Sequence, residues 1–125
     1  MMVKGVGTDL VEVARLQRSI DQRGDDLAKR ILTESEFNAY QASSRPAVYL
    51  AKRFAVKEAV SKALGTGISK GVRWQDIELA RLDSGQPYVT LCGKAQAKLE
   101  DLDGQGVFVS LSDEAGLVSA FAVLG

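Results

Sequence analysis

Histidine is absent from all 125 residues. Its absence excludes a Ser-His-Asp triad, the common zinc sites and any imidazole base. Acid–base chemistry in this chain therefore falls to carboxylates, lysines, tyrosines or water. Cysteine occurs once, as Cys92, so no internal disulfide can form and a reducing cytoplasm suits the chain. Lying between Leu91 and Gly93, Cys92 reads as a small strand residue. No apolar run is long enough to span a bilayer. The start, MMVKGVGTDLVEV, has neither a sustained apolar run nor a small-residue cleavage site, so no signal peptide is expected. Aromatic residues make up 6% of the chain. Few of them lie among the basic residues, which are dispersed, and this disfavours nucleic acid as a partner.

What is present is enough apolar material for a core. At 46% hydrophobic over 125 residues, the length predicts one domain, residues 1–125. The formal net charge of zero conceals an asymmetry. Residues 1–73 carry 13 Lys and Arg against 8 Asp and Glu, whereas residues 74–125 carry 3 against 8. A net +5 in the first part suits an anionic ligand or an acidic partner, with chance segregation on a solvated surface as the alternative.

Periodicity predicts an α+β fold. Val3 to Thr8 reads as a strand interrupted by Gly5 and Gly7. Asp9 with Glu12 three residues later fits a capping box before a helical pattern through Val13, Leu16 and Ile20. Leu27 to Leu32 and Glu34 to Tyr40 read as short helices, the second capped by Thr33. Pro46 opens a long helix running to about Leu64. The second half then changes period. Ile77 to Ala80 and Tyr88 to Leu91, joined through DSGQP, predict a hairpin, and KAQAKLEDL predicts a helix. Val107 to Ser112 and Leu117 to Leu124, joined by DEAG, predict a second hairpin. Helices and antiparallel hairpins in blocks exclude a doubly wound parallel sheet.

The stretch RFAVKEAVSKALGTGI holds the candidate chemistry. At about 100° per residue, Leu50, Phe54, Glu58 and Lys62 fall on one helical stripe. Read blandly, Glu58 and Lys62 are an i,i+4 pair worth about 0.3–0.5 kcal/mol. A helix apolar around most of its circumference is buried on most sides, however, and charges there call for a partner, a metal or a ligand. The following GTGISKG supplies glycines that let the backbone turn back and approach a phosphate. Gly65 would equally serve as a plain helix C-cap. The order of lysine and glycines is the reverse of a Walker A loop.

Three motifs together, GVGTDLVEVARL, AKRFAVKEAVSKALGTGI and SLSDE before a final strand, resemble the holo-acyl-carrier-protein synthase family of phosphopantetheinyl transferases. The similarity runs over nearly the whole chain, with WQDIEL and GQPYVTLCG also in place. The resemblance implies transfer of the 4′-phosphopantetheine arm of coenzyme A to a serine of acyl carrier protein, in support of fatty acid biosynthesis. Adenosine 3′,5′-bisphosphate is the product released. It further implies that Asp9 and Glu58 bind Mg²⁺ with the coenzyme A pyrophosphate and water, and that Lys62 lies near the phosphates. Mg²⁺ chemistry agrees, since that ion favours one or two carboxylates plus substrate phosphates and waters. The serine proton is left to Glu58 or to metal-bound water.

By the same resemblance Arg53 suits a coenzyme A phosphate, Gly65, Thr66 and Gly67 form the loop beside the nucleotide, and Arg15 pairs with acidic residues of the carrier protein. Many relatives have histidine where this chain has Asp113, so no role of that histidine transfers; Asp113 reads as a turn residue. A cytoplasmic homotrimer with active sites at subunit interfaces is implied. Two other readings compete with it. One is a non-catalytic module that binds coenzyme A or acidic proteins, which would have little use for two carboxylates beside phosphates. The other is a transferase for secondary-metabolism carrier domains, whose members resemble two fused copies of this unit.

Overall fold

The computed structural model describes residues 2–125. In chain order a strand β1 (Gly5–Glu12) leads into helices α1 (Val13–Arg23), α2 (Asp26–Ile31) and α3 (Glu34–Ala42), then the long helix α4 (Pro46–Ala63). A 3₁₀ turn (Trp74–Asp76) and the strands β2 (Ile77–Arg81) and β3 (Pro87–Leu91) follow. Helix α5 (Gly93–Asp101) and the strands β4 (Val107–Glu114) and β5 (Leu117–Leu124) complete the chain. The expected α+β architecture is observed. One antiparallel sheet has the order β1-β5-β4 and the second is the β2-β3 hairpin. No helix among the described residues is long and apolar enough to cross a membrane.

Local chemistry explains several boundaries. Thr33 accepts from the Glu36 amide while the Glu36 carboxylate accepts from the Thr33 amide, a complete capping box. Pro46 occupies the first turn of α4, where a missing N–H is harmless. The β4–β5 turn is Ala115–Gly116, with φ of 54° and 78°, the twist that a two-residue hairpin favours. Strand pairing therefore extends through Asp113 and Glu114, which were expected in the connection.

The start of the chain departs from expectation. Asp9 and Glu12 do not form a capping box: both lie in β1, paired with Ala120 and Leu117 of β5, and Glu12 makes no side-chain cap. Continuous ladder bonds to β5 outweigh one capping contact. The strand alternates, so Gly7 and Val11 are buried while Val6, Leu10 and Glu12 are exposed. Cys92 is also corrected: it is exposed and stands at the N-terminal end of α5, beyond β3.

Small residues bring β1 against α4. Ala47, Ala51, Ala55, Ala59 and Ala63 recur every four residues on that helix and are all buried. A Cβ built on Gly7 would overlap the Ala59 carbonyl and lie 2.7 Å from the Ala63 nitrogen. The glycines are thus required by backbone-to-backbone approach, and this approach carries Asp9, on the same face of β1, to the side of α4. We expect Gly7→Ala to destabilise the chain by roughly 2–3 kcal/mol, since the clash is with backbone that cannot swing away. Urea denaturation measures the loss; a cost under about 0.5 kcal/mol would contradict this packing.

Candidate active site

Three charged side chains meet where β1 crosses α4. The Lys62 ammonium donates to Asp9 Oδ1 at 3.2 Å and to the Thr8 carbonyl at 3.0 Å. It does so while half exposed, its side chain at 50%. The ordinary helical pair expected between Glu58 and Lys62 gives way to this contact with the strand. Asp9 Oδ2 is buried and has no hydrogen-bond partner. Glu58, one turn before Lys62, is half-buried. Burial pushes the Glu58 carboxyl up first, and the negative charge of Asp9 adds to the rise. Lys62 and Arg15 lower it.

Two carboxylates face one space, and the half-exposed Lys62 ammonium bonds Asp9 Oδ1 but neither the orphaned Asp9 Oδ2 nor Glu58. The site therefore fits a divalent cation of the oxygen-seeking kind. Among the described residues no cluster of three or more metal-ligating side chains exists. Two carboxylates alone match Mg²⁺, which fills its remaining positions with water and substrate phosphates.

An aromatic stack borders these groups. Phe54, one turn before Glu58, stacks on Trp74 with ring centroids 5.4 Å apart. The exposed guanidinium of Arg15, from α1, sits 5.4 Å from the centre of the Phe54 ring. Arg15 thus belongs to the rim of the site, and its cationic edge faces outward. The sequence reading placed Trp74 in the motif WQDIEL but gave it no role at the site.

The glycine loop begins where α4 ends. Gly65, at φ 80°, adopts a conformation open to glycine. The Gly65 amide donates to the Lys62 carbonyl and the Thr66 amide to that of Ser61, the paired bonds of a Schellman C-cap. The Gly67 amide also donates to the Ser61 carbonyl, at 3.0 Å. Gly65, Thr66 and Gly67 accordingly follow Lys62 as a fixed turn, with Gly65 in the C-cap role that the sequence allowed.

Arg53 is not brought to this group. Its position is about 140° around the helix from Glu58 and about 180° from Lys62. There the guanidinium lies 4.0 Å over the Tyr49 ring and its Nε is buried without a partner. Burial lowers its proton affinity most, opposed chiefly by Tyr49. With Arg45, Lys52 and Arg81 it lines a strongly basic recess that also holds Ser43 and Ser44. Asp113, expected in a turn, is a strand residue that pairs with Lys52 at 3.7 Å.

The expectation that Glu58 and Lys62 are the buried charges of this helix is corrected: the buried pair on α4 is that of Lys57 with Glu36. Lys57 is fully buried, and its ammonium lies 2.7 Å from Glu36 Oε1. Burial lowers the Lys57 proton affinity first, with Glu36 opposing. Nothing in the sequence near Lys57 signals Glu36, which arrives from α3.

Residues 5–113 match the family model of the 4′-phosphopantetheinyl transferase superfamily. A holo-[acyl-carrier-protein] synthase of Shewanella pealeana is 46% identical, with 98% of each chain covered. Among solved structures, the holo-[acyl-carrier-protein] synthase of Neisseria meningitidis superposes with a TM-score of 0.90 at 40% identity, covering 99% of both chains. The Helicobacter pylori synthase, solved in complex with coenzyme A, gives 0.82 at 29% identity, covering 96% of this chain and 99% of that one. With a family match over most of its length and near-complete coverage of relatives on both sides, this chain belongs to the 4′-phosphopantetheinyl transferase superfamily.

Proposed function

We propose that this chain, as a single domain, transfers the 4′-phosphopantetheine group of coenzyme A to a serine of apo-acyl carrier protein. Holo-acyl carrier protein for fatty acid synthesis and adenosine 3′,5′-bisphosphate are the products. The observation that carries the reading is the pair Asp9 and Glu58, with the orphaned Asp9 Oδ2 and the raised Glu58 carboxyl beside Lys62. A module that only binds anionic phosphates gains nothing from two carboxylates so placed. Similarity over the full length to single-unit synthases of acyl carrier protein favours that substrate over secondary-metabolism carriers.

Asp9 and Glu58 would hold the metal, and Mg²⁺ there would supply charge neutralisation to the coenzyme A pyrophosphate. Phosphoryl transfer depends chiefly on positioning and electrostatics. Lys62, on a flexible stem, moves from Asp9 toward the phosphate whose bridging oxygen gains charge as adenosine bisphosphate departs. The serine proton falls to Glu58 or to a water at the site. The attacking oxygen bonds to phosphorus as the pyrophosphate bridge breaks. Gly65, Thr66 and Gly67 border the nucleotide.

Self-association supports completion of the site. Val6, Leu10, Phe108 and Phe121 are exposed. On β1, β4 and β5 they face away from α4, an outer sheet surface too apolar to suit water alone. A cytoplasmic homotrimer would cover it, and a neighbouring copy would bring its Arg53 recess toward a coenzyme A phosphate.

The enzyme reading is tested by incubating the chain with apo-acyl carrier protein, coenzyme A and Mg²⁺ and chromatographing the nucleotides. Adenosine 3′,5′-bisphosphate should accumulate; recovery of intact coenzyme A would identify a binder only.

The exposed Arg15 at the rim is the residue we assign to an acidic partner. Arg15→Glu should raise the carrier-protein KM by roughly tenfold or more through like-charge contact, with coenzyme A KM little changed. Added salt should weaken the wild-type carrier interaction in the same direction. Steady-state kinetics with each substrate varied in turn checks both; equal losses for the two substrates would remove Arg15 from the docking surface.

A further inference from the structure

Lys57 stands next to Glu58 in the sequence but about 100° around the helix from it, pointing into the protein and away from the reacting groups. A lysine ammonium has three donors, and all three are used. They go to the Trp74 carbonyl at 3.0 Å, the Ile77 carbonyl at 2.6 Å and Glu36 Oε1 at 2.7 Å. Glu36 in turn has both oxygens occupied. It accepts from the Thr33 amide at Oε1 and from the Leu79 amide at Oε2, both at 3.0 Å. Stability alone does not call for such a pair, because apolar residues of similar volume commonly serve as well. What the ammonium adds is direction, at two carbonyls on one short segment.

That segment is the far end of the glycine loop. Residues 65–73 leave α4 through hydrogen bonds that the Gly65, Thr66 and Gly67 amides donate to the Lys62 and Ser61 carbonyls and return at Trp74, where Lys57 of the same helix holds them. The loop is therefore fastened to α4 at both ends, first by the helix terminus and then by Lys57. The second fastening also fixes the residue whose ring stacks on Phe54.

We infer that Lys57 is a positioning residue, whose buried ammonium sets the geometry in which the Gly65–Arg73 loop meets the nucleotide of coenzyme A. The inference rests on the coenzyme A reading proposed above. It assigns Lys57 no contact with substrate.

The test compares two variants of one network by calorimetric titration with adenosine 3′,5′-bisphosphate, which requires neither carrier protein nor turnover. Lys57→Met removes the bonds to Trp74 and Ile77, whereas Glu36→Gln leaves them. Both should lower the melting temperature, but only Lys57→Met should weaken nucleotide binding, by tenfold or more, with Glu36→Gln within threefold of wild type. If Lys57→Met does not fold, Lys57→Met combined with Glu36→Gln, which buries no charge, replaces it under the same criterion. Nucleotide affinities that fall together with melting temperature in both variants would overturn the inference. Hydrogen exchange on the nucleotide-free wild type is the independent check. The Val72 amide, bonded to the Ser69 carbonyl near the end that Lys57 holds, should be protected there and exchange faster in Lys57→Met, and equal exchange in the two would likewise overturn the inference. Wild type that binds nucleotide without transferring phosphopantetheine would refute the proposed reaction and leave this inference standing; wild type that binds no nucleotide would refute both.

Discussion

Asp9→Asn and Glu58→Gln should each lower phosphopantetheine transfer on the order of 10³-fold, the scale of several kcal/mol of lost charge stabilisation at a metal. Both variants should remain folded. Asp9 pairs with a half-exposed lysine, a contact worth at most about 1 kcal/mol. Glu58 should show the opposite sign in stability. Its proton affinity is raised above the usual 4.5 in the native chain. Between that value and the raised one the native state therefore binds more protons than the unfolded state. Stability then falls as pH rises through this window, since the slope follows protons bound unfolded minus native. A glutamine side chain does not titrate, so without metal Glu58→Gln should melt above wild type at neutral pH and lose that advantage below about pH 4.5. Melting curves with chelator at pH 4 and pH 7 check the sign. A variant less stable than wild type at pH 7 would show that burial and the charge of Asp9 do not raise the Glu58 carboxyl.

Lys62→Met separates chemistry from packing. Methionine keeps the stem and removes the charge, and the ammonium contributes little to folding from its exposed position. If Lys62 offsets charge that develops on the leaving nucleotide, kcat should fall by about 10²–10³, the usual effect of removing one such donor. Coenzyme A KM should change less, because the interaction strengthens in the transition state. A structural role alone would instead leave Asp9 without its partner and lower the melting temperature with turnover intact. Single-turnover transfer beside a melting curve distinguishes the two, and near-normal turnover in a folded Lys62→Met chain removes Lys62 from the mechanism.

The parts of this fold that the sequence disclosed are those decided within a few residues. Thr33 and Glu36 make their capping box three positions apart, and Pro46 begins α4 where proline is tolerated. The hairpins follow from turn residues between apolar runs. Asp9 and Glu12 show the limit of that local logic, because their capping spacing was real but β5 offered a longer ladder of bonds. The role of Gly5 and Gly7 was hidden for the same reason. Their meaning lies in Ala59 and Ala63, more than fifty residues on.

The site was legible as a set of residue types, through motif resemblance, and less so as geometry. Helical spacing put Glu58 beside Lys62, but Lys62 reaches Asp9, 53 positions earlier. Helical spacing pointed to Glu58 and Lys62 as the charges needing compensation in α4, whereas the buried charge is Lys57, met by Glu36 from α3. Arg53 shares the motif with Glu58 and still faces the other way, since adjacency in a helix scatters side chains around the axis.

The most direct test of the account is the intact mass of apo-acyl carrier protein after incubation with this chain and coenzyme A, once with Mg²⁺ and once with excess chelator. The account predicts the added mass of one phosphopantetheine on the carrier serine with Mg²⁺ and none with chelator. An unchanged carrier in both reactions, or full modification in the presence of chelator, would contradict it.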